Sequence, residues 1–200
     1  MTDRVDQGDR ADQGVKRDIT GAQDENGEAL RWIMRQVPSP VSVVTASDGK
    51  GEIRGITIGS FTSASLRPPL LSFNISRDAG IYDFLTRADH FALHVLHEGQ
   101  AHLSDRFATP DMPGDEQFHA VDYEVDAHGT PVLAGVMTVL LCTRHAVYDA
   151  GDHSIVLGLV TDIRKTDTDS RPLVYFDRSY RRVGKETQPA SFDPIRPVRY

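Results

Sequence analysis

The chain is nearly free of cysteine, carries no excess of positive charge and contains no long apolar run. Cys142 is its one cysteine in 200 residues, so an intramolecular disulfide framework is excluded. Lysine and arginine total 22 against 29 aspartates and glutamates, a net charge of -7. That balance argues against a general nucleic-acid binder, which presents a basic face. No apolar stretch approaches the ~20 residues that span a bilayer, and no signal-peptide pattern opens the chain. The expected setting is therefore the cytoplasm, with neither membrane nor nucleic acid as partner. Two nucleotide motifs are missing as well. No Gly-x-Gly-x-x-Gly follows a strand and no Gly-x-x-x-x-Gly-Lys-Ser/Thr occurs, so phosphate binding has to use hydroxyls, backbone N–H groups and loop arginines.

What is present centres on residues 55–70, Gly-Ile-Thr-Ile-Gly-Ser-Phe-Thr-Ser-Ala-Ser-Leu-Arg-Pro-Pro-Leu. Thr57, Ser60, Thr62, Ser63 and Ser65 would each need a partner inside a core strand. The interleaved Ile56, Ile58, Phe61 and Leu66 do not suit a plain surface loop. The run reads as the wall of a polar-lined pocket, sized for a planar ligand that bears a phosphate.

Along the chain, residues 1–25 lack a periodic apolar face and read as a disordered arm. Leu30, Ile33, Met34 and Val37 recur at helical spacing, so a helix is expected from Asn26 or Gly27 to Gln36, ended by Pro38 and Pro40. Val41–Thr45 reads as a strand and Ser47–Gly51 as a hairpin turn. Leu71, Phe73 and Ile75 alternate with Ser72, Asn74 and Ser76, the clearest period of two in the chain. Asp78 is expected to cap a short helix through Arg87, followed by a strand over His90–Leu96 and a helix carrying Leu103 and Phe107. Residues 109–118 read as a loop, and two long strands, Val136–Tyr148 and Ser154–Ile163, flank a turn at residues 149–153. Leu173–Phe176 is the last strand expected, and residues 184–200 form an extended tail. Regular strands with short helices as connections indicate a mainly β barrel rather than a βαβ sheet.

Several residues have plain explanations. Taken alone, Ser63 and Ser65 are better read as satisfying turn backbone, and Asn74 suits solvent as well as a ligand. His153 follows Gly-Asp in a turn, while Arg77 and Arg181 suit a charged surface. His97-Glu-Gly-Gln-Ala-His102 has one residue too many for the zinc-helix pattern, and His90 and His94 share a strand face without an evident third ligand. Cys142, between Leu141 and Thr143, reads as a packed thiol.

Taken in order, these segments resemble the short-chain flavin reductases, the split-barrel reductases that serve two-component monooxygenases. The carriers are Trp32…Pro38-x-Pro-Val-Ser-Val-Val-Thr45, the 55–70 run, Phe91-x-Leu-His-Val-Leu96 and Leu103-x-x-x-Phe107-Ala108. Further carriers are Gly129-x-Pro131-x-Leu133-x-Gly135, Gly151-Asp-His153 with Gly158, and Pro172–Phe176 followed by Tyr180-Arg181. The resemblance covers about Ala29 to Arg182. It departs at Pro40, where glycine is usual, at Gly59, where Ser or Asn is common, and at Arg67, which replaces a frequent Asp.

The resemblance implies a split β-barrel domain over residues 26–183, in a homodimer that binds FMN or FAD near the subunit interface. Thr57, Ile58, Gly59 and Ser60 would border the isoalloxazine and offer it backbone N–H groups. Ser63 and Ser65 would approach the ribityl phosphate, with Asn74, Ser76 and Arg77 completing that end. Ser39 and Val41 would sit at the flavin's margin, and His153, Tyr180 and Arg181 match positions that receive NADH or NADPH. The implied activity is hydride transfer from nicotinamide to flavin, by stacking of the two cofactors and without a catalytic side chain, to supply a partner monooxygenase. An FMN-retaining electron carrier or sensor is the alternative, and a split barrel holding haem or another cofactor a third.

Overall fold

Segments rich in β-branched and other apolar residues build an antiparallel fold, described for residues 20–166, 169–185 and 187 in a computed structural model. Two units separate after Gln36. The first contains helix α1, Thr20–Met34, with an Arg31–Glu28 ion pair of 3.1 Å. The helix starts at Thr20, not near Asn26, because Ala22, Gln23 and Glu25 carry helix propensity that an argument from apolar period alone passes over. Residues 20–25 are thus helical; the rest of the expected arm, 1–19, lies outside the described residues, as does most of the expected tail.

In the second unit, β1 (Ser39–Pro40) leads into β2 (Ser42–Ser47), β3 (Ile53–Ile58), β4 (Thr62–Leu66) and β5 (Pro69–Ser76). Helix α2 (Tyr82–Arg87) precedes β6 (His90–Val95), and helices α3 (Ala101–Ala108) and α4 (Gly114–Phe118) follow it. The chain continues through β7 (Tyr123–Val125), β8 (Pro131–Leu133), β9 (Thr138–Ala150), β10 (His153–Lys165), β11 (Leu173–Phe176) and β12 (Ser179–Arg182). Seven strands form one sheet in the order β3-β2-β6-β9-β10-β5-β4; β1, β11 and β12 form a second, and β7 pairs with β8. The expectation of a mainly β fold holds, and the large sheet is open, with β3 and β4 at its two edges.

The core lies on both faces of this sheet. Val44, Ala46, Phe73, Ile75, Phe91, Leu93 and Val156 pack on one side, where Leu85 of α2 joins them. Val43, Ala92, Leu103, Phe107, Phe118, Leu133 and Val139 pack on the other. Central strands β2 and β6 are therefore buried on both sides, while β5 keeps the expected alternation, with Leu71, Phe73 and Ile75 buried and Asn74 exposed. Val41 ties the sheets together: its N–H donates to Leu173 O (3.2 Å) and its carbonyl accepts from Leu96 N (3.1 Å).

Three expectations need correction. Asp78 does not cap α2; Ile81 stands at that position without a side-chain bond, because residues 78–81 turn instead, Tyr82 N bonding Ala79 O at 2.8 Å. The 109–118 segment contains α4, held by burial of Gln117 and Phe118. A further strand, β12, follows Leu173–Phe176 through a two-residue turn.

His94 is structural. Its Nδ1 lies 3.0 Å from Val43 O, and its Nε2 accepts from Leu133 N at 3.0 Å. Burial lowers its pKa from 6.5 to about 4, opposed by the bond to Val43. Unfolding frees the ring to take up a proton, so the unfolded chain binds more protons than the folded one between pH 6.5 and about 4. Stability from this group is complete above pH 6.5 and declines on acidification through that window, by about 3 kcal/mol at most. Urea unfolding at pH 7.5 and 5.0 should show this slope in the wild type and a shallower one in His94→Gln; equal slopes would contradict the assignment.

Candidate functional site

β3 is an edge strand, and polar groups collect along its free side. Gln117 Oε1 accepts from Gly55 N and its Nε2 donates to Gly55 O, each at 3.0 Å, so these peptide groups point away from β2. Alternation places the Thr57 N–H on the same free edge. Helix α3 lies close against this edge because residue 55 has no side chain; a Cβ there would stand 2.7 Å from the Phe107 ring. The Thr57 hydroxyl then donates to Ser104 O at 2.7 Å, fixing helix to strand.

A cleft of about 440 Å³ opens where β3 ends. Ser39, Pro40 and Val41 form one wall, Thr57, Ile58 and Gly59 the floor. Ser104, Asp105 and Ala108 of α3 face Tyr175, Arg178 and Tyr180 of the β11–β12 hairpin. Gly59 keeps the slot open: a Cβ there would meet Ser39 Cβ at 3.3 Å and Pro40 O at 3.5 Å. Tyr180 closes the far side. Its hydroxyl donates to Asp105 Oδ1 (2.7 Å) and lies 2.9 Å from Ser104 Oγ, while its ring meets that of Tyr175 at 5.5 Å. Burial raises the phenol's pKa above its ordinary value, and the Asp105 carboxylate adds to this while the Ser104 bond opposes it.

Six of the fourteen residues expected in the site thus line the cleft: Ser39, Val41, Thr57, Ile58, Gly59 and Tyr180. Ser60 stands beside them with its hydroxyl engaged, accepting from Asn74 N (3.0 Å) and donating to Asn74 O (3.3 Å). Asn74, Ser76, Arg77 and His153 form a second group where β5 pairs with β10. There Arg77 reaches Asp149 at 2.6 Å, and His153 Nδ1 lies 2.7 Å from Asp152 Oδ1. Neither His153 nor Arg77 lines the cleft with Tyr180. Ser63 and Ser65 lie on edge strand β4, and Ser65 Oγ accepts from Arg67 N at 3.2 Å. Arg181 follows Tyr180 on β12 and therefore points to the opposite face.

Sequence reasoning did not place Pro40, Ser104, Asp105, Ala108, Tyr175 or Arg178 in the site. The Leu103–Phe107 spacing located the helix, and Gly55 was the one local sign that something packs tightly on β3. Removing the Tyr180 hydroxyl tests that closure. Tyr180→Phe should lower the unfolding free energy by about 1 kcal/mol, the scale of a lost hydrogen bond at a partly buried site. An unchanged urea midpoint would show that the bonds to Ser104 and Asp105 contribute nothing.

Residues 34–184 match the family described as Flavin reductase like domain. A flavin reductase of Pseudomonas putida is 37% identical over 146 residues, covering 73% of this chain and 84% of that protein. The solved NADH:FAD oxidoreductase SgcE6 of Streptomyces globisporus, in complex with NAD and FAD fragments, superposes with a TM-score of 0.74 at 33% identity. That match covers 82% of this chain and 96% of that one. BorF, the flavin reductase component of a bacterial two-component tryptophan halogenase, gives 0.72 at 30% identity, covering 80% and 99%. With the family spanning most of its length, the chain belongs to the flavin reductase like proteins.

Proposed function

We propose that the chain is an NAD(P)H:flavin oxidoreductase whose reduced FMN or FAD passes to a separate flavin-dependent monooxygenase. The supporting observation is the free edge of β3, where the Thr57 N–H borders a slot kept open by Gly59. An oriented backbone donor beside the Tyr175 and Tyr180 rings and the small residues Ser39 and Gly59 fits a flat ring with acceptor atoms along its rim. The flavin supplies the hydride-accepting chemistry when bound.

In this reading Thr57, Ile58 and Gly59 hold the ring edge, with Ser39 and Val41 at its margin. Ser60 acts through its bond to Asn74, fixing the backbone that follows Gly59. Ser63, Ser65, Asn74, Ser76 and Arg77 serve the phosphate end, and Tyr180 receives the nicotinamide cofactor, a role that His153 and Arg181, lying outside this cleft, do not share. The open sheet is read as a split barrel over residues 26–183, flanked by the arm and the tail. A homodimer would cover the exposed Leu66, Tyr148 and Ile163 on the large sheet. Among the described residues no helix is long and apolar enough to cross a membrane, and a cytoplasmic setting completes the reading. BorF, as one half of a two-component system, supports a partner enzyme for this chain too.

Steady-state oxidation of NADH with excess free FMN or FAD tests the proposal directly. Turnover proportional to enzyme and saturable in flavin is the expected result. NADH consumption no faster than the enzyme-free background with both flavins would refute it.

A further inference from the structure

Arg178 is placed by an unusual turn. The hairpin between β11 and β12 closes through Asp177 and Arg178 alone, with Phe176 paired to Ser179. Both turn residues have positive φ, 47° and 59°. Two-residue hairpins of this hand favour glycine or asparagine, because a Cβ is crowded in the left-handed region. A long cationic side chain at the second position therefore works against the local backbone, the kind of strain that concentrates at binding sites.

The turn carries Arg178 to the cleft that Thr57, Ile58, Gly59 and Tyr180 also line. Arg178 has no hydrogen bond or ion pair among the described residues. Arg77, Arg144 and Arg164, by contrast, each hold a carboxylate, at 2.6, 2.9 and 2.6 Å. The one other charged group lining the cleft is Asp105, and its Oδ1 is taken by the Tyr180 hydroxyl. An unpaired guanidinium at the cleft suits an anion with paired oxygens, which it can grip with two parallel N–H groups.

We propose that Arg178 binds the pyrophosphate of the nicotinamide dinucleotide, making it a binding residue for the hydride donor. This rests on the flavin reductase reading, in which the flavin's own phosphate is served from the hydroxyl-rich β4 and β5 end. The pyrophosphate is common to NADH and NADPH, so Arg178 acts on both donors alike.

Arg178→Gly is the informative variant, since glycine suits the turn and its thermal midpoint should equal or exceed that of the wild type. Full-length wild type and variant are assayed with riboflavin as acceptor, which removes the flavin phosphate from the comparison. The donors are NADH, NADPH and 1-benzyl-1,4-dihydronicotinamide, which has no phosphate. The variant should raise the KM for NADH and for NADPH by about tenfold each, the scale of a charge-assisted contact, and leave the benzyl donor and riboflavin unaffected. An unchanged KM for NADH overturns the proposal, as does an equal loss with the benzyl donor. A loss confined to NADPH would move the contact to the 2′-phosphate and overturns it too. If the wild type oxidises no donor at all, the flavin reductase reading fails and the proposal with it. A wild type that turns over and is matched by Arg178→Gly overturns the proposal alone.

Discussion

Gly59, Ser60 and Phe61 connect β3 to β4, and these strands are the opposite edges of a seven-stranded sheet. Laid flat, six gaps between seven strands would separate the edges by about 29 Å. Three linking residues reach about 14 Å at full extension. The sheet therefore has to roll until its edges approach, and the core inside that curve, with Phe61 packed against it, is the apolar surface that makes the roll favourable. Ser60 fixes the register of the join. Thr62 pairs with Ser72 and Ser63 with Leu71, and the Ser60 hydroxyl continues the same ladder by bonding the Asn74 backbone.

The site follows from that join. Because β3 ends at the linker, its free edge lies open where the chain from Ser39 to Val41 passes, and a Cβ at residue 59 would crowd Ser39 at 3.3 Å. α3 and the β11–β12 hairpin complete the walls, held through Thr57–Ser104 and Tyr180–Asp105. Among the described residues the cleft is lined by one carboxylate, Asp105, and by no pair of converging carboxylates. Cys142, the one thiol, is buried and its pKa is pushed up to about 12. Such a site suits a reaction in which bound cofactors carry the reactivity and the protein supplies position and polarity.

Much of this was legible in the sequence where the information is local. The alternation at Leu71–Ser76, the strand at His90–Leu96, the long strands around residues 149–153 and the Leu103–Phe107 helix all appear close to where residue pattern puts them. Of the 55–70 run only Thr57, Ile58 and Gly59 line the cleft, because its division into β3, a linker and β4 at opposite sheet edges depends on pairing with β2 and β5. The same limit explains the missed cleft residues. Ser104 and Asp105 look like ordinary polar positions on a helix until β12 brings Tyr180 to them from more than 70 residues away. His94 gives the reverse case: on its strand face with His90 no third ligand was evident, and its bonds to Val43 and Leu133, which lie far off in sequence, place it in the core.

The linker's length is the claim on which the account rests, and lengthening it is the direct measurement. Two glycines inserted between Ser60 and Phe61 should uncouple the sheet edges, lower the thermal midpoint and raise the KM for flavin at least tenfold, the scale of losing an aligned donor and a formed cleft. The same insertion in the exposed turn at residues 48–51 should leave both quantities near the wild type. Wild-type stability and wild-type flavin KM in the linker insertion would contradict the account, because the join would then be incidental to both fold and site.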